Sequence, residues 1–84
     1  MALEPRELLQ QLCSLAETQG ISVRQDAIEG SRGGLYIFKG KRHLLINRDL
    51  PLDEKIDVLT ETLKKEELDQ VYVLPAVRAW LDAG

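Results

Sequence analysis

The chain has 84 residues, 44% of them apolar and 30% charged, and a formal net charge of −3. That length gives one domain, and the balance is that of a globular chain rather than a low-complexity or collagen-like one. A single cysteine, Cys13, excludes an internal disulfide and a multi-cysteine metal site, and no run approaches the ~20 apolar residues that span a bilayer.

The opening Met-Ala-Leu-Glu-Pro-Arg-Glu has acids and no apolar run of the kind a signal peptide needs. A cytoplasmic protein without membrane attachment is expected. Pro5 suits the first turn of a helix, where its missing N–H costs nothing. Leu8, Leu12 and Leu15 recur at helical spacing, widened by Leu9, Cys13 and Ala16. Gly20 suits a left-handed stop, so a first helix is predicted over residues 5–19.

Ile21 and Val23 alternate with Ser22 and Arg24, the period of a half-buried strand. Gln25 to Gly34 is polar, holds three glycines and reads as a loop. Leu35–Phe38 and Arg42–Ile46 are predicted strands, joined by a tight turn in which Gly40 supplies a positive φ. After Asn47, Asp53 is the predicted N-cap of a helix whose stripe is Ile56, Val58, Leu59 and Leu63 and which ends near Lys65. Val71-Tyr72-Val73 reads as short and extended. Pro75 opens a last helix with Val77, Trp80 and Leu81 as apolar contacts. The order α-β-β-β-α-α predicts an α+β fold, a mostly antiparallel or mixed three-stranded sheet with helices on one face.

Charge is unevenly spread. Residues 1–20 are net −2, residues 21–50 net +3, and residues 51–84 net −4. The basic middle holds Arg32, Lys39, Lys41, Arg42 and Arg48, with Tyr36 and His43 among them. These seven residues are the candidate binding surface. A basic hairpin with aromatic side chains suits a phosphate backbone with stacked bases. Lysines on an edge hairpin equally guard a sheet against aggregation, and the acidic whole disfavours nucleic acid. Gly30, Gly33 and Gly34 match neither phosphate-loop spacing. Cys13 lies on the apolar stripe and is expected in the core. His43 is the only histidine and no carboxylate in its neighbourhood is placed to orient it as a base.

Gly33-Gly-Leu-Tyr-Ile-Phe-Lys-Gly-Lys-Arg-His-Leu-Leu-Ile-Asn47, followed by the helical Asp53–Lys64, resembles the core of small zinc-dependent peptidases of the ImmA/IrrE type. In that family a hairpin ending in Asn leads to a helix with His-Glu-x-x-His, whose histidines share one face and one metal. Here Thr60 and Lys64 stand at the histidine positions and Glu61 at the position of the base. A lysine ammonium repels a divalent cation. The resemblance therefore implies a degenerate, zincin-like half-domain without catalytic residues, metal or cofactor. The chain is also similar to small bacterial proteins that share a Gly-Gly-Leu hairpin start and a Val-Tyr-x-x-Pro-Ala-Val-Arg end, here Val71–Arg78; that resemblance implies a shape and no activity.

The expected function is that of a non-catalytic protein-interaction module or small homodimer, using the hairpin edge or the surroundings of Trp80. The alternatives are a carboxylate-based metal-dependent protein using Glu54, Asp57 and Glu61 on one helix face, and nucleic-acid binding through the basic hairpin.

Overall fold

A computed structural model describes residues 3–83. Its elements are α1 (Pro5–Thr18), β1 (Ile21–Asp26), β2 (Gly33–Phe38), β3 (Lys41–Asn47), α2 (Leu52–Leu63) and α3 (Pro75–Ala83). This is the α+β order expected from the pattern. Cα extents of 36 × 29 × 17 Å make a slab of two layers, a sheet and the helices that cover one of its faces. Among the described residues no helix is long and apolar enough to cross a membrane.

The sheet is mixed and runs β1-β3-β2. β2 and β3 form the antiparallel hairpin, with Phe38 opposite Lys41 and Gly33 opposite Ile46. β1 pairs with β3 in parallel, Ile21 opposite Arg42 and Asp26 opposite Asn47. β1 therefore runs two residues further than its alternation suggests, because Gln25 and Asp26 find partners on β3. β3 is central, and β1 and β2 are both edges.

The two turn residues of the hairpin, Lys39 (φ 52°) and Gly40 (φ 79°), both lie in the left-handed region. That is the mirror-image turn whose twist matches the flanking strands. Gly33 (φ 111°) answers a different need. A Cβ there would fall 1.9 Å from the carbonyl oxygen of Leu45, so only glycine lets β2 start against β3.

The core lies between the sheet and the helices. It contains Leu8, Leu12, Leu15 and Ala16 of α1, Ile21, Leu44 and Ile46 of the sheet, Ile56, Val58, Leu59 and Leu63 of α2, and Val77 and Leu81 of α3. The predicted stripes are the buried faces, except that Trp80 is 42% exposed and Leu9 and Cys13 are only partly buried. The start of α2 differs from expectation. Asp53 is not the N-cap of α2: Pro51 takes that position without a side-chain bond, and Asp53 and Glu54 sit in the first turn, where the helix dipole favours them. Val71-Tyr72-Val73, read as short and extended, lies outside the regular elements, with Val73 buried and Tyr72 exposed.

Candidate functional site

The two edges of the sheet differ in chemistry. β1 presents Ser22, Arg24, Gln25 and Asp26, polar or charged side chains of the kind that keep an edge from pairing. β2 has no charge between Gly33 and Phe38. Strand alternation and the pairing with β3 send Leu35 and Ile37 to the helix side and Tyr36 and Phe38 to the open side. α2 does not reach far enough to cover the first pair. Leu35 is 47% exposed, Tyr36 41%, Ile37 73% and Phe38 58%. An unpaired backbone edge with apolar side chains on both faces is thus open to solvent along the whole strand.

On the open face, Tyr36 stacks on His43 of β3 at 5.1 Å and 15° between ring planes. Phe38 meets the same imidazole edge-on at 6.4 Å. Lys39 places its Nζ 5.4 Å from the centre of the Phe38 ring. His43 Nδ1 is buried in this cluster and has no hydrogen-bond partner among the described residues. The imidazole is thus an aromatic member of a hydrophobic patch.

The seven candidate residues do not form one surface. Tyr36, Lys41 and His43 share the open face, with Lys39 at the turn. Arg42 points the opposite way: its Nη1 donates to Glu66 Oε1 at 2.8 Å and its Nη2 donates to the Gln19 carbonyl at the end of α1. Arg32 Nη1 donates to Glu61 Oε2 at 3.4 Å across the β2–α2 cleft. Arg48 is exposed beyond β3, its N–H donating to the Asp26 carbonyl at 2.9 Å. Two of the five cations are thus neutralised by acids from the later, acidic part of the chain. The complementary charges of the middle and the end meet within the fold.

The three positions of the degenerate peptidase motif also separate. Thr60 is buried; its hydroxyl donates to the Ile56 carbonyl at 2.8 Å and accepts the Trp80 indole N–H at 2.8 Å. Glu61 is paired with Arg32 over a cleft of about 220 Å³ that Gly33, Leu35 and Val58 also line. Lys64 is exposed at the C-cap of α2. Among the described residues no three His, Cys, Asp or Glu side chains gather into a metal-sized group, and Glu54, Asp57 and Glu61 are exposed along α2. Cys13 is half-buried, and burial first, then the Glu17 carboxylate, pushes its thiol pKa up, away from a reactive thiolate.

The Asn that ends the hairpin has a structural task that its place in the sequence did not reveal. Asn47 Nδ2 donates to the carbonyls of Ile28 (2.9 Å) and Ser31 (2.8 Å), and its Oδ1 accepts the Asp49 N–H at 3.0 Å. One side chain latches the loop that carries the chain from β1 past the end of β3 to β2. The sequence signal available was only an Asn before a turn. The apolar edge itself was hidden by the pairing of β1: had β1 joined β2, Leu35 to Phe38 would lie inside the sheet.

Comparison with protein-family models, with curated proteins and with solved structures gave no match.

Proposed function

We propose that this chain is a non-catalytic protein-interaction module whose working surface is the free edge of β2, and that it takes up a further strand there, in the first instance from a second copy of itself. The observation that carries the reading is the exposure of Leu35, Tyr36, Ile37 and Phe38 on an edge strand without charge. An added strand would satisfy the free backbone groups and cover apolar side chains on both faces. Antiparallel β2–β2 pairing about a two-fold axis sets the same surface against itself, the commonest form of self-association. It also holds the two Lys39–Lys41 tips at opposite ends of the paired strands, roughly 20 Å apart for six residues at ~3.4 Å each. The peptidase-like outline of residues 33–64 belongs to the same proposal: a core of that shape, with Thr60 committed to Trp80 and Glu61 to Arg32, would hold a segment and not cut it.

Sedimentation equilibrium over a hundredfold concentration range tests this. A dimer is expected, reduced to monomer by Ile37→Lys, which places a charge on the edge without touching the core. Slow amide exchange in β2 of the wild type, lost in the variant, would place the interface. A monomer at every concentration, with fast-exchanging β2 amides, rejects self-pairing.

A second reading draws on the open-face cluster of Tyr36, His43 and Phe38 beside Lys39 and Lys41: a stacking surface for a single nucleic-acid strand. Salt-sensitive retention on an anionic column, abolished by Lys39→Ala with Lys41→Ala, would favour it; equal retention of wild type and variant rejects it.

A further inference from the structure

A second unpartnered surface lies among the helices, away from β2. The first turns of α1 and α2 and the outer face of α3 enclose an apolar groove of about 640 Å³. Leu8, Leu52 and Ile56 form one side and Trp80 the other. Ala76 and Ala79, short side chains on α3, leave the floor open. Trp80 is a fixed wall: its indole N–H is tied to Thr60 Oγ1 at 2.8 Å, yet 42% of the residue remains exposed. The charged side chains on the groove are Asp53 and Asp57, one helical turn apart on α2, and among the described residues no basic side chain lines it. Neither aspartate takes part in an ion pair among the described residues.

We infer that this groove receives the apolar face of a basic amphipathic helix from a partner protein. The occupant follows from three physical constraints. First, the groove is walled by helices and by Leu3 just ahead of α1, and among the described residues neither edge of the sheet lines it, so it offers no strand ladder to an extended segment. A chain entering it must satisfy its own backbone, which a helix does. Second, the volume suits the three or four apolar side chains that about two helical turns present. Third, a rim that carries two carboxylates and, among the described residues, no basic side chain favours lysine or arginine flanking the apolar stripe. The same rim disfavours a second copy docking groove to groove, because the two pairs of aspartates would face one another. This inference does not depend on the edge-strand reading.

Trp80 is the only tryptophan and stands in the wall, so its fluorescence reports occupation directly. The probes are two ~14-residue amphipathic peptides of one pattern, Leu/Lys and Leu/Glu. The Leu/Lys peptide should shift Trp80 emission to the blue and bind at least about tenfold more tightly than Leu/Glu, the effect of ~1.4 kcal/mol from two rim charges. Asp53→Asn with Asp57→Asn should bring the two peptides within about threefold, while Ala79→Arg, on the exposed face of α3, should abolish the shift with the circular dichroism of the fold unchanged. Equal binding of both peptides, or a shift that survives Ala79→Arg, overturns the inference. So does a concentration-dependent Trp80 shift without peptide, which assigns the groove to a second copy. Response to a small anilinonaphthalene dye and to neither peptide assigns it to an apolar small molecule and overturns it equally.

Discussion

Adjacent glycines in β2 offer the sharpest test of how this hairpin is built. Gly33→Ala should cost the domain about 3 kcal/mol, the upper part of the ~1–3 kcal/mol for a side chain held in a glycine-only conformation. The structure gives two reasons for the upper end. Its φ is 111°, and the new Cβ would sit 1.9 Å from the Leu45 carbonyl oxygen and 2.7 Å from its carbon. Backbone cannot yield as a flexible side chain can, so β2 must draw away from β3 at its first pair. Next to that pair is the bond from the Asn47 N–H to the Arg32 carbonyl, 2.8 Å, which closes the loop onto the sheet. Gly34 has open space and no positive φ, so Gly34→Ala should be neutral or gain roughly 0.5 kcal/mol from the stiffer unfolded chain. A domain of this size has roughly 4–13 kcal/mol in all, at ~0.05–0.15 kcal/mol per residue. With a urea m-value of about 1 kcal/mol/M, the Gly33 variant should unfold about 3 M earlier than the wild type. Urea titrations followed by far-UV circular dichroism make the comparison. Midpoints for the two variants within about 0.3 M of each other would refute the close approach of Gly33 to Leu45.

Three further outcomes follow from single side chains. Asn47→Ala should cost about 1–3 kcal/mol, because the Ile28 and Ser31 carbonyls lose their donor; exchange at residues 27–32 should quicken, and Asn47→Asp, which keeps only the acceptor, should not restore it. Arg42→Lys should cost about 1–2 kcal/mol in thermal unfolding, since one ammonium cannot reach both Glu66 and the Gln19 carbonyl; Arg32→Lys, at an exposed pair, should change stability by less than about 0.5 kcal/mol. Cys13, its thiol pKa raised by burial, should alkylate more slowly in the native protein than in urea at pH 8. The sign for stability follows. The unfolded thiol ionises first, so this contribution is intact below the ordinary thiol pKa of 9.0 and is lost as pH rises above it. Native and unfolded alkylation rates that coincide would refute the burial of that sulfur.

How much of this was legible in the sequence depends on the range of the interaction. The helices were, because Leu8, Leu12 and Leu15, and Ile56, Leu59 and Leu63, write their buried faces at local spacing, and all six are buried. The hairpin was, because Lys39-Gly40 sits between two apolar runs. What failed to show was long-range. Nothing in Ser-Val-Arg-Gln-Asp says that β1 lies parallel to β3, yet that pairing alone leaves β2 at an edge. Arg42 and Lys41 are neighbours in sequence and read as one basic patch; the strand period puts them on opposite faces, and Arg42 is spent on Glu66. Trp80 falls at helical spacing with Val77 and reads as core, but its indole lies over α2 with its N–H on Thr60. The predicted cap at Asp53 failed for a local reason: Pro51, its φ held at −58° by the ring and its ψ extended at 156°, is itself the N-cap, and the helix begins at Leu52.

The distribution of exposed apolar side chains argues that both proposed surfaces are kept for use. A chain of 84 residues buries only about 60% of the surface its unfolded form exposes, so some large apolar groups must face water. Single exposed groups need no explanation, but these are clustered. Four of them, Leu35 to Phe38, are consecutive on one edge strand, although the opposite edge shows that this sheet can be finished with Arg24, Gln25 and Asp26. Trp80 stands in an apolar groove whose floor is two alanines; larger apolar residues at 76 and 79 would close it and add buried area to a small core. Filling that groove and charging that edge are the cheapest routes to a more stable monomer. Substituting leucine at Ala79 should therefore raise the unfolding midpoint while abolishing peptide binding. A variant that gained stability and kept full binding would show that the groove has no part in recognition.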